Sequence, residues 1–427
     1  MLKKIAGTTL VRILGAIASL LILSLNAHVL GPHGVGIISL IVVGIAIIQN
    51  ISSLIGGSAL VYLASRHDNF HIYLLSTGWG LLASAAGAVI LGMARMIPEV
   101  QVSNVFLLSL LASQINVNQM ILLGREKVIA YNINTLFQSV LQVASLYYFY
   151  HMAGVRSEEG FIFSLYFAFG FTFLLSFILI WRYLKIQAIE NLMPLMKDIL
   201  RLGGSIQLAG LLQTLNYRFS YFLLRKFFGE GTLGRFDAGV KLSEGIWLMA
   251  KSMALVQYSR TSNESDIRKI HALTLGLFKL STLITLAGLA CLLLIPSAWF
   301  EWLLGNGFHD IKTVVLSLSP GILAIASGMI FSHFFSGTGK PQYNTLGSAI
   351  GFITLLAAGY LIIPRYGLVA AGIATSLSYL AALAYQMILF TRITGLPFHA
   401  FLPNHKDLDM IKEWLRKRRE REPGNMQ

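Results

Sequence analysis

Apolar stretches of about 20 residues recur along the whole chain, the length a helix needs to cross the hydrocarbon of a bilayer. Hydrocarbon offers no water to unpaired backbone groups, so each stretch is expected to satisfy its hydrogen bonds internally, as a helix. The runs divide into about twelve spans, near 8–29, 36–64, 72–94, 103–123, 129–151, 160–182, 203–228, 233–258, 272–300, 313–336, 343–363 and 367–391. Of the 427 residues, 55% are hydrophobic and only 12% charged, about half the charge of an average soluble domain. The predicted fold class is therefore all-α, a polytopic membrane protein. Residues 1–12 lead straight into the first span and are expected to be retained rather than cleaved as a signal peptide. The single cysteine, Cys291, lies inside an apolar run and can form no internal disulfide.

The formal net charge of +14 would suggest nucleic acid in a soluble protein. Here its placement points to topology. With the N-terminus inside, cytoplasmic segments hold roughly 21 Lys/Arg and outer loops roughly 7, and without the tail the ratio is still about 14 to 7. Both termini are thus expected in the cytoplasm, and no nucleic-acid partner is expected.

The chain reads as duplicated. "NAHVLGPHGVGIISL" (26–40) joins spans one and two through a Gly-Pro turn, and "RKFFGEGTLGRFDAG" (225–239) joins spans seven and eight. "GREKVIAYN" (124–132) and "GKPQYN" (339–344) each carry Gly, Lys and then Tyr-Asn at the mouth of the following helix. Six spans per half give both halves the same orientation, a parallel repeat typical of transporters. The expected division is a six-helix lobe over 1–183, a cytoplasmic amphipathic linker helix over 184–202, a second six-helix lobe over 203–392 and a basic tail over 393–427. In the linker, Ile186, Ile189, Leu192, Leu195 and Met196 make an apolar stripe beside Lys185, Lys197 and Arg201. A second amphipathic stretch, 407–422, is read as a positive-inside anchor.

Ionisable side chains inside spans cost roughly 2.5–3.5 kcal/mol at the bilayer centre on insertion scales, so they face a partner or a wet cavity. At about 100° per residue, Asp237, Lys241, Glu244 and Lys251 fall on one face of span eight, and Gln207, Thr214, Arg218 and Arg225 on one face of span seven. Asp237–Lys241 and Lys241–Glu244 have ion-pair spacing. Arg218 has no carboxylate within reach along its own helix, so it is expected to be unpaired and to look into water. The first half carries a neutral counterpart: Asn134, Gln138, Gln142 and Ser145 on span five, Gln114 and Asn118 on span four, and Gln49, Asn50, Ser52 and Ser53 on span two. Amides and hydroxyls donate and accept, as sugar hydroxyls require. Their alternative role is hydrogen bonding between helices. Arg12 and Lys279 lie near span ends, where they can snorkel. Positive charge beside amides, reached from a bilayer, suits an amphiphile with an anionic head and a sugar moiety, as in a lipid-linked oligosaccharide.

"LVRILGAIASLLILSLNAHVLGPHGVGIISLI" (10–41) resembles the opening of the Wzx-type polysaccharide flippases, members of the multidrug/oligosaccharidyl-lipid/polysaccharide exporter superfamily. "LNYRFSYFLLRKFFGEGTLGRFDAGVKLSEGIW" (215–247), "FFSGTGKPQYNTLGSAIG" (334–351) and "YGLVAAGIATSLSYL" (366–380) resemble its second half. The resemblance implies two six-helix lobes around a central cavity, alternating access by rocking, a bacterial cytoplasmic-membrane location, and export of undecaprenyl-diphosphate-linked glycans. The family often has Arg before the "LGP" turn; this chain has His28, largely neutral near pH 7. On this reading Arg218, aided by Lys241, Arg12 and Arg66, holds the diphosphate, and Glu244, Gln207, Thr214, Asn134, Gln138, Gln142, Gln114 and Asn118 complete the substrate site. Export of a dianionic head across an interior-negative membrane gains about 2.3 kcal/mol per charge per 100 mV, so the potential can assist, with a proton or sodium ion as the other coupling candidates. Association with polysaccharide-polymerase machinery is a further implied partner.

Two rival functions remain. A multidrug exporter of the same superfamily would call for carboxylates to hold cationic drugs, whereas the mid-span balance here is basic. A membrane glycan polymerase or ligase would present acid/base or metal groups on a sizeable outer loop, and the outer loops are short, with Glu158-Glu159 their only adjacent carboxylate pair. His67 and His71 have a metal-compatible spacing, but two histidines do not make a site. "SGTGKP" (336–341) departs from a phosphate-binding loop in lacking the first Gly and in placing Pro341 after Lys340. Nothing in the sequence asks for a cofactor.

Overall fold

The computed structural model of the protein describes residues 2–64, 66–185, 192–264 and 266–402. Among them it is helical with no strand: α1 (Leu2–Gly56), α2 (Ala59–Leu63), α3 (Asn69–Met93), α4 (Val102–Gly124), α5 (Val128–Tyr147), α6 (Glu158–Trp181), α7 (Met193–Glu244), α8 (Leu248–Asn263), α9 (Ile267–Leu294), α10 (Ser297–Leu304), α11 (Ile311–Gly337) and α12 (Gln342–Thr394).

Three of these are too long for one crossing of a hydrocarbon layer about 30 Å thick, and each is broken by a glycine in a conformation that L side chains avoid. Gly31 divides α1 (φ 65°, ψ −172°), Gly229 divides α7 (φ 77°, ψ 177°) and Gly367 divides α12 (φ 58°, ψ −130°). Gly31 and Gly229 fall between predicted spans and Gly367 at the first residue of the twelfth, so α1, α7 and α12 each supply two. Other helices end early. Span two is interrupted at Gly57, where a Cβ would lie 2.5 Å from Gln207 Nε2; span eight breaks after Glu244, ahead of α8.

Left-handed positions recur in register across the two halves. Gly31 matches Gly229, Arg95 matches Gly305, Glu126 matches Gly339 and Gly154 matches Gly367. Glu126 and Gly339 belong to the two Gly-Lys-Tyr-Asn turns noted in the sequence. Small residues bring helices together within each half, as is usual without a hydrophobic drive between helices in lipid. Gly372 would place a Cβ 1.9 Å from Ser317 Oγ, and Gly80 one 2.7 Å from Ser113 Oγ. The Ser376 hydroxyl donates to Ser317 O (2.8 Å) and accepts from Gly321 N (3.1 Å), beside the helix-interior Pro320.

The halves meet along α1 and α7. At the end carrying Gly31 and Gly229 the contact is backbone against backbone: a Cβ on Gly36 would lie 2.0 Å from the Glu230 carbonyl oxygen, and one on Gly234 would lie 1.9 Å from that of Pro32. Leu23, Ala27 and Val35 of α1 join Ala238, Leu242, Phe300 and Phe308 in one buried cluster there. At the opposite end Leu195 and Ile199 pack with Ile55, Leu60 and Leu63. Residues 193–201 of the expected linker are thus the first turns of α7, continuous with span seven, rather than a separate surface helix. The remainder of the linker stripe, Ile186 and Ile189, and the 407–422 stretch lie outside the described residues. Large apolar side chains such as Leu82, Ile90, Phe171, Ile178 and Leu361 are exposed, as a lipid-facing surface requires.

Candidate functional site

The charged residues of spans seven and eight form one network. Arg218 Nη2 lies 2.8 Å from Glu244 Oε1 and 3.0 Å from Oε2, while Nη1 donates to the Tyr221 hydroxyl at 2.8 Å. Tyr221 in turn donates to Asp237 Oδ1 (2.8 Å), and Asp237 Oδ2 accepts from Lys241 Nζ (2.7 Å) and from Ser39 Oγ (2.6 Å). Two cations and two carboxylates cancel. Asp237 is 2% exposed, yet its carboxylate takes three donors, which offsets its desolvation.

This corrects the expectation for Arg218: its guanidinium is paired with an acid. The glycine break at Gly229 folds span eight back along span seven and brings Glu244 against Arg218, a pairing invisible to intrahelical spacing. Of the two spacings open to Lys241, the fold uses Asp237 and sends Glu244 elsewhere. One edge of the pair is open, since the Arg218 and Glu244 side chains are 21% and 20% exposed.

The polar face of span seven is real, but it meets the other half rather than an open vestibule. Thr214 Oγ1 accepts from Asn50 Nδ2 (3.1 Å), and Gln207 Nε2 donates to Ser58 Oγ (3.4 Å). Arg225 donates to the Arg95 carbonyl (2.7 Å) and to Glu230 (3.1 Å). With Ser39 on Asp237, these bonds make a seam between α1–α3 and α7. Burial pushes the Glu230 carboxyl up, but its own backbone amide and the Arg225 guanidinium outweigh that and hold it below its ordinary value.

In the first half, Gln114 and Asn118 tie helices together rather than line an open space. Gln114 Oε1 accepts from Thr77 Oγ1 (2.8 Å) and Asn118 Nδ2 donates to Ser176 Oγ (2.8 Å). Asn134 is fully buried with neither amide atom partnered among the described residues, and Gln142 is half-buried. Gln138 does line a cavity, of about 220 Å3, shared with Gln49, Asn116, Gln119 and Phe169. Arg12 is exposed, and Arg66 is exposed with its guanidinium 3.9 Å above the Tyr62 ring. His71 Nδ1 lies 3.1 Å from Asp68.

A larger cavity, about 330 Å3, lies wholly within the second half, between α7, α8, α11 and α12. Its walls include Tyr217, Trp247 and Tyr379, none of which the sequence reading singled out. Tyr217 and Tyr221 flank Arg218 in sequence, the only signal that could have drawn attention to them.

No protein-family profile matches the chain. A Staphylococcus aureus protein named "Capsular polysaccharide biosynthesis protein CapF" is 25% identical over 200 residues, 46% of this chain and 50% of that one. A Shigella flexneri protein named "Putative O-antigen transporter" is 23% identical over 394 residues, 86% of this chain and 92% of that one. Among solved structures, lipid II flippase MurJ in an inward closed conformation aligns with a TM-score of 0.71 at 14% identity, covering 94% of this chain and 89% of MurJ. An inward-facing multidrug resistance MATE family transporter of the MOP superfamily aligns with a TM-score of 0.70 at 16% identity, covering 91% of this chain and 98% of that one. The chain therefore has the fold of the MOP-superfamily membrane transporters, and in sequence it is similar to bacterial surface-polysaccharide proteins.

Proposed function

We propose that the protein is a flippase that carries an undecaprenyl-diphosphate-linked oligosaccharide from the cytoplasmic to the outer leaflet by alternating access. The observation that carries this reading is the contact of Gly36 and Gly234 across the two halves. Two bare backbones with no side chain between them close one end of the α1–α7 seam, beside the apolar cluster of Leu23, Ala27, Val35, Leu242 and Phe300. The bonds around it, Ser39–Asp237 and Arg225–Arg95, are few and polar, so they can exchange with water as the end opens. With the basic loops in the cytoplasm, the closed end is the outer one. The similarity to capsular and O-antigen proteins supports a glycan cargo.

The charge network alters the assignment of the diphosphate. Arg218 and Lys241 are already neutralised by Glu244 and Asp237. Arg12 and Arg66 are the named cations with no carboxylate partner among the described residues, and both lie at the end opposite Gly31. In this reading they receive the headgroup, Gln138 and its cavity face the glycan, and the Arg218–Glu244 pair fixes span eight against span seven within the second lobe, which the Ser39–Asp237 bond ties to the first. The polyprenyl tail stays in lipid. Polymerase machinery on the outer side would take the product.

The test is cellular. Depletion leaves lipid-linked glycan accumulating with its sugar toward the cytoplasm, wild type relieves it, and the Arg12→Ala/Arg66→Ala double variant at equal expression does not. Relief by that variant removes both arginines from the headgroup site; efflux of cationic dyes without any effect on the glycan favours the multidrug alternative.

A further inference from the structure

The cavity of the second half has a chemistry of its own. Tyr217 stands at its centre, with ring centroids 5.6 Å from Trp247 (tilted by 36°) and 5.6 Å from Tyr379 (edge-on, 82°). Around this aromatic wall is a rim of polar groups with nothing to bond. The Trp247 indole N–H, the Tyr379 hydroxyl, the Ser348 hydroxyl and the Gln386 amide make no hydrogen bond among the described residues, though each of these side chains is at least nine-tenths buried. Lys251 also lines the cavity and has no carboxylate partner there. Their polar atoms are not sealed off but open into the cavity, so all four are free to bond a polar occupant of that space.

The lining restricts the occupant. No Asp or Glu contributes to it, so a metal cation or a cationic drug would meet Lys251 and no counter-charge. A hydrocarbon chain would leave the indole, hydroxyls and amide unpaired. A pyranose fits both features, since it presents an apolar C–H face to an aromatic ring and a girdle of hydroxyls that donate and accept. At about 330 Å3 the space is at the lower bound of small-molecule sites, roughly 300–1,000 Å3, which suits one sugar ring and not a chain. The single ammonium adds a point charge that complements one negative charge, as on a carboxylate.

The corresponding cavity of the first half differs. It is lined by four amides, five aliphatic side chains and one aromatic, Phe169, with no charged side chain. Matching the halves through Gly31 and Gly229 places Gln49 where the second half has Trp247. The aromatic wall and the cation thus belong to one half only.

We infer that the cavity bounded by Tyr217, Trp247 and Tyr379 is a subsite for one carboxylated monosaccharide residue, a uronate. The inference rests on the proposed glycan cargo for its biological meaning, but its chemistry stands on the cavity alone. Lys251 binds the carboxylate, the rings stack on the sugar face, and Gln386, Ser348 and the Tyr379 hydroxyl bond the ring hydroxyls. Selection of an acidic sugar at this point would let the carrier discriminate among glycans that share one diphosphate-lipid anchor.

The test uses the full chain in nanodiscs and saturation-transfer NMR with methyl glucuronide and methyl glucoside. The glucuronide is expected to bind roughly tenfold more tightly, the size of one charge-assisted hydrogen bond. Lys251→Gln is expected to lower the glucuronide to the level of the glucoside and leave the glucoside unchanged. Tyr379→Phe, which keeps the ring, weakens both a few-fold, and Trp247→Ala removes both signals. Absence of a glucuronide signal, or a signal unchanged in the Lys251→Gln and Tyr379→Phe proteins, overturns the subsite. If such a protein still flips polyprenyl-diphosphate glycan, the transport reading stands without it; if the uronate binds as described and no flipping occurs, the transport reading alone falls.

Discussion

Arg218 and Glu244 lie on opposite sides of the Gly229 break, 26 residues apart in sequence, with Nη2 and Oε1 2.8 Å apart. Each would be costly alone in a low-dielectric interior, and together they are tolerated because Tyr221 supplies a further bond to the guanidinium. Removal of one partner leaves the other uncompensated. Arg218→Met or Glu244→Met is expected to destabilise the protein by about 2–4 kcal/mol, somewhat below the fully buried case because one edge of the pair is exposed. The double Met variant is expected to recover most of that loss. Thermal unfolding in detergent, followed by size-exclusion fluorescence, measures all three; a double variant no more stable than the worse single one contradicts the pairing.

Ser39 is the link from the first half into the network, through its 2.6 Å bond to Asp237. Hydrogen bonds to charged groups contribute about 1.5–3 kcal/mol, so Ser39→Ala should lower stability in that range, whereas Ser39→Thr should retain the bond. Combined with Asp237→Asn, the Ser39→Ala effect should shrink, which a double-mutant cycle reads directly.

Gly36 and Gly234 admit no side chain. A Cβ at either would fall about 2 Å from a carbonyl oxygen of the other half, far inside van der Waals contact, so the two backbones must part. Gly36→Val is expected to force the Gly31/Gly229 end open. Cysteine substituted for Glu230, labelled from outside with a membrane-impermeant maleimide, should then react faster than in the otherwise wild-type protein. Equal rates would show that this end was already open or that the contact does not hold it.

The closed end also predicts a pH response. Glu230 has its carboxyl held below the ordinary value of 4.5. A depressed carboxylate contributes stability that is fully present above its unfolded value and is lost as pH falls through the lowered one. Closure should therefore be insensitive to Glu230 between neutral pH and about 5 and weaken only in stronger acid. Glu230→Gln should abolish that acid-dependent part of maleimide labelling at a cysteine replacing His33.

Much of the fold was legible because the bilayer imposes one length on every span, and Gly31, Gly229 and Gly367 mark the turns by residue type. The breaks within span two and span eight were not, since a hydropathy window does not sense a shift of helix axis where Gly57 meets Gln207. Polar faces were legible by helical period; what each face meets was not. The stripe through Gln207, Thr214 and Arg225 turned out to face Ser58, Asn50 and Arg95 of the other half. Gln114 and Asn118 bond to neighbouring helices for the same reason: spacing fixes an azimuth on one helix, and only packing decides which neighbour occupies it. The Arg218–Glu244 pair lay beyond any intrahelical rule. Tyr217, Trp247 and Tyr379 carry no shared signal in the sequence because their cavity exists only once α7, α8, α11 and α12 are assembled.

The most direct measurement is sidedness in proteoliposomes. Full-chain protein is reconstituted with a fluorescent polyprenyl-diphosphate disaccharide, and the fraction of sugar reached by an external lectin is followed in time. Lectin-accessible sugar that rises beyond the fraction reached in protein-free vesicles, and fails to rise with Gly36→Val, is the predicted result. A time course indistinguishable from that of empty vesicles, under conditions where the protein is folded, would contradict the account.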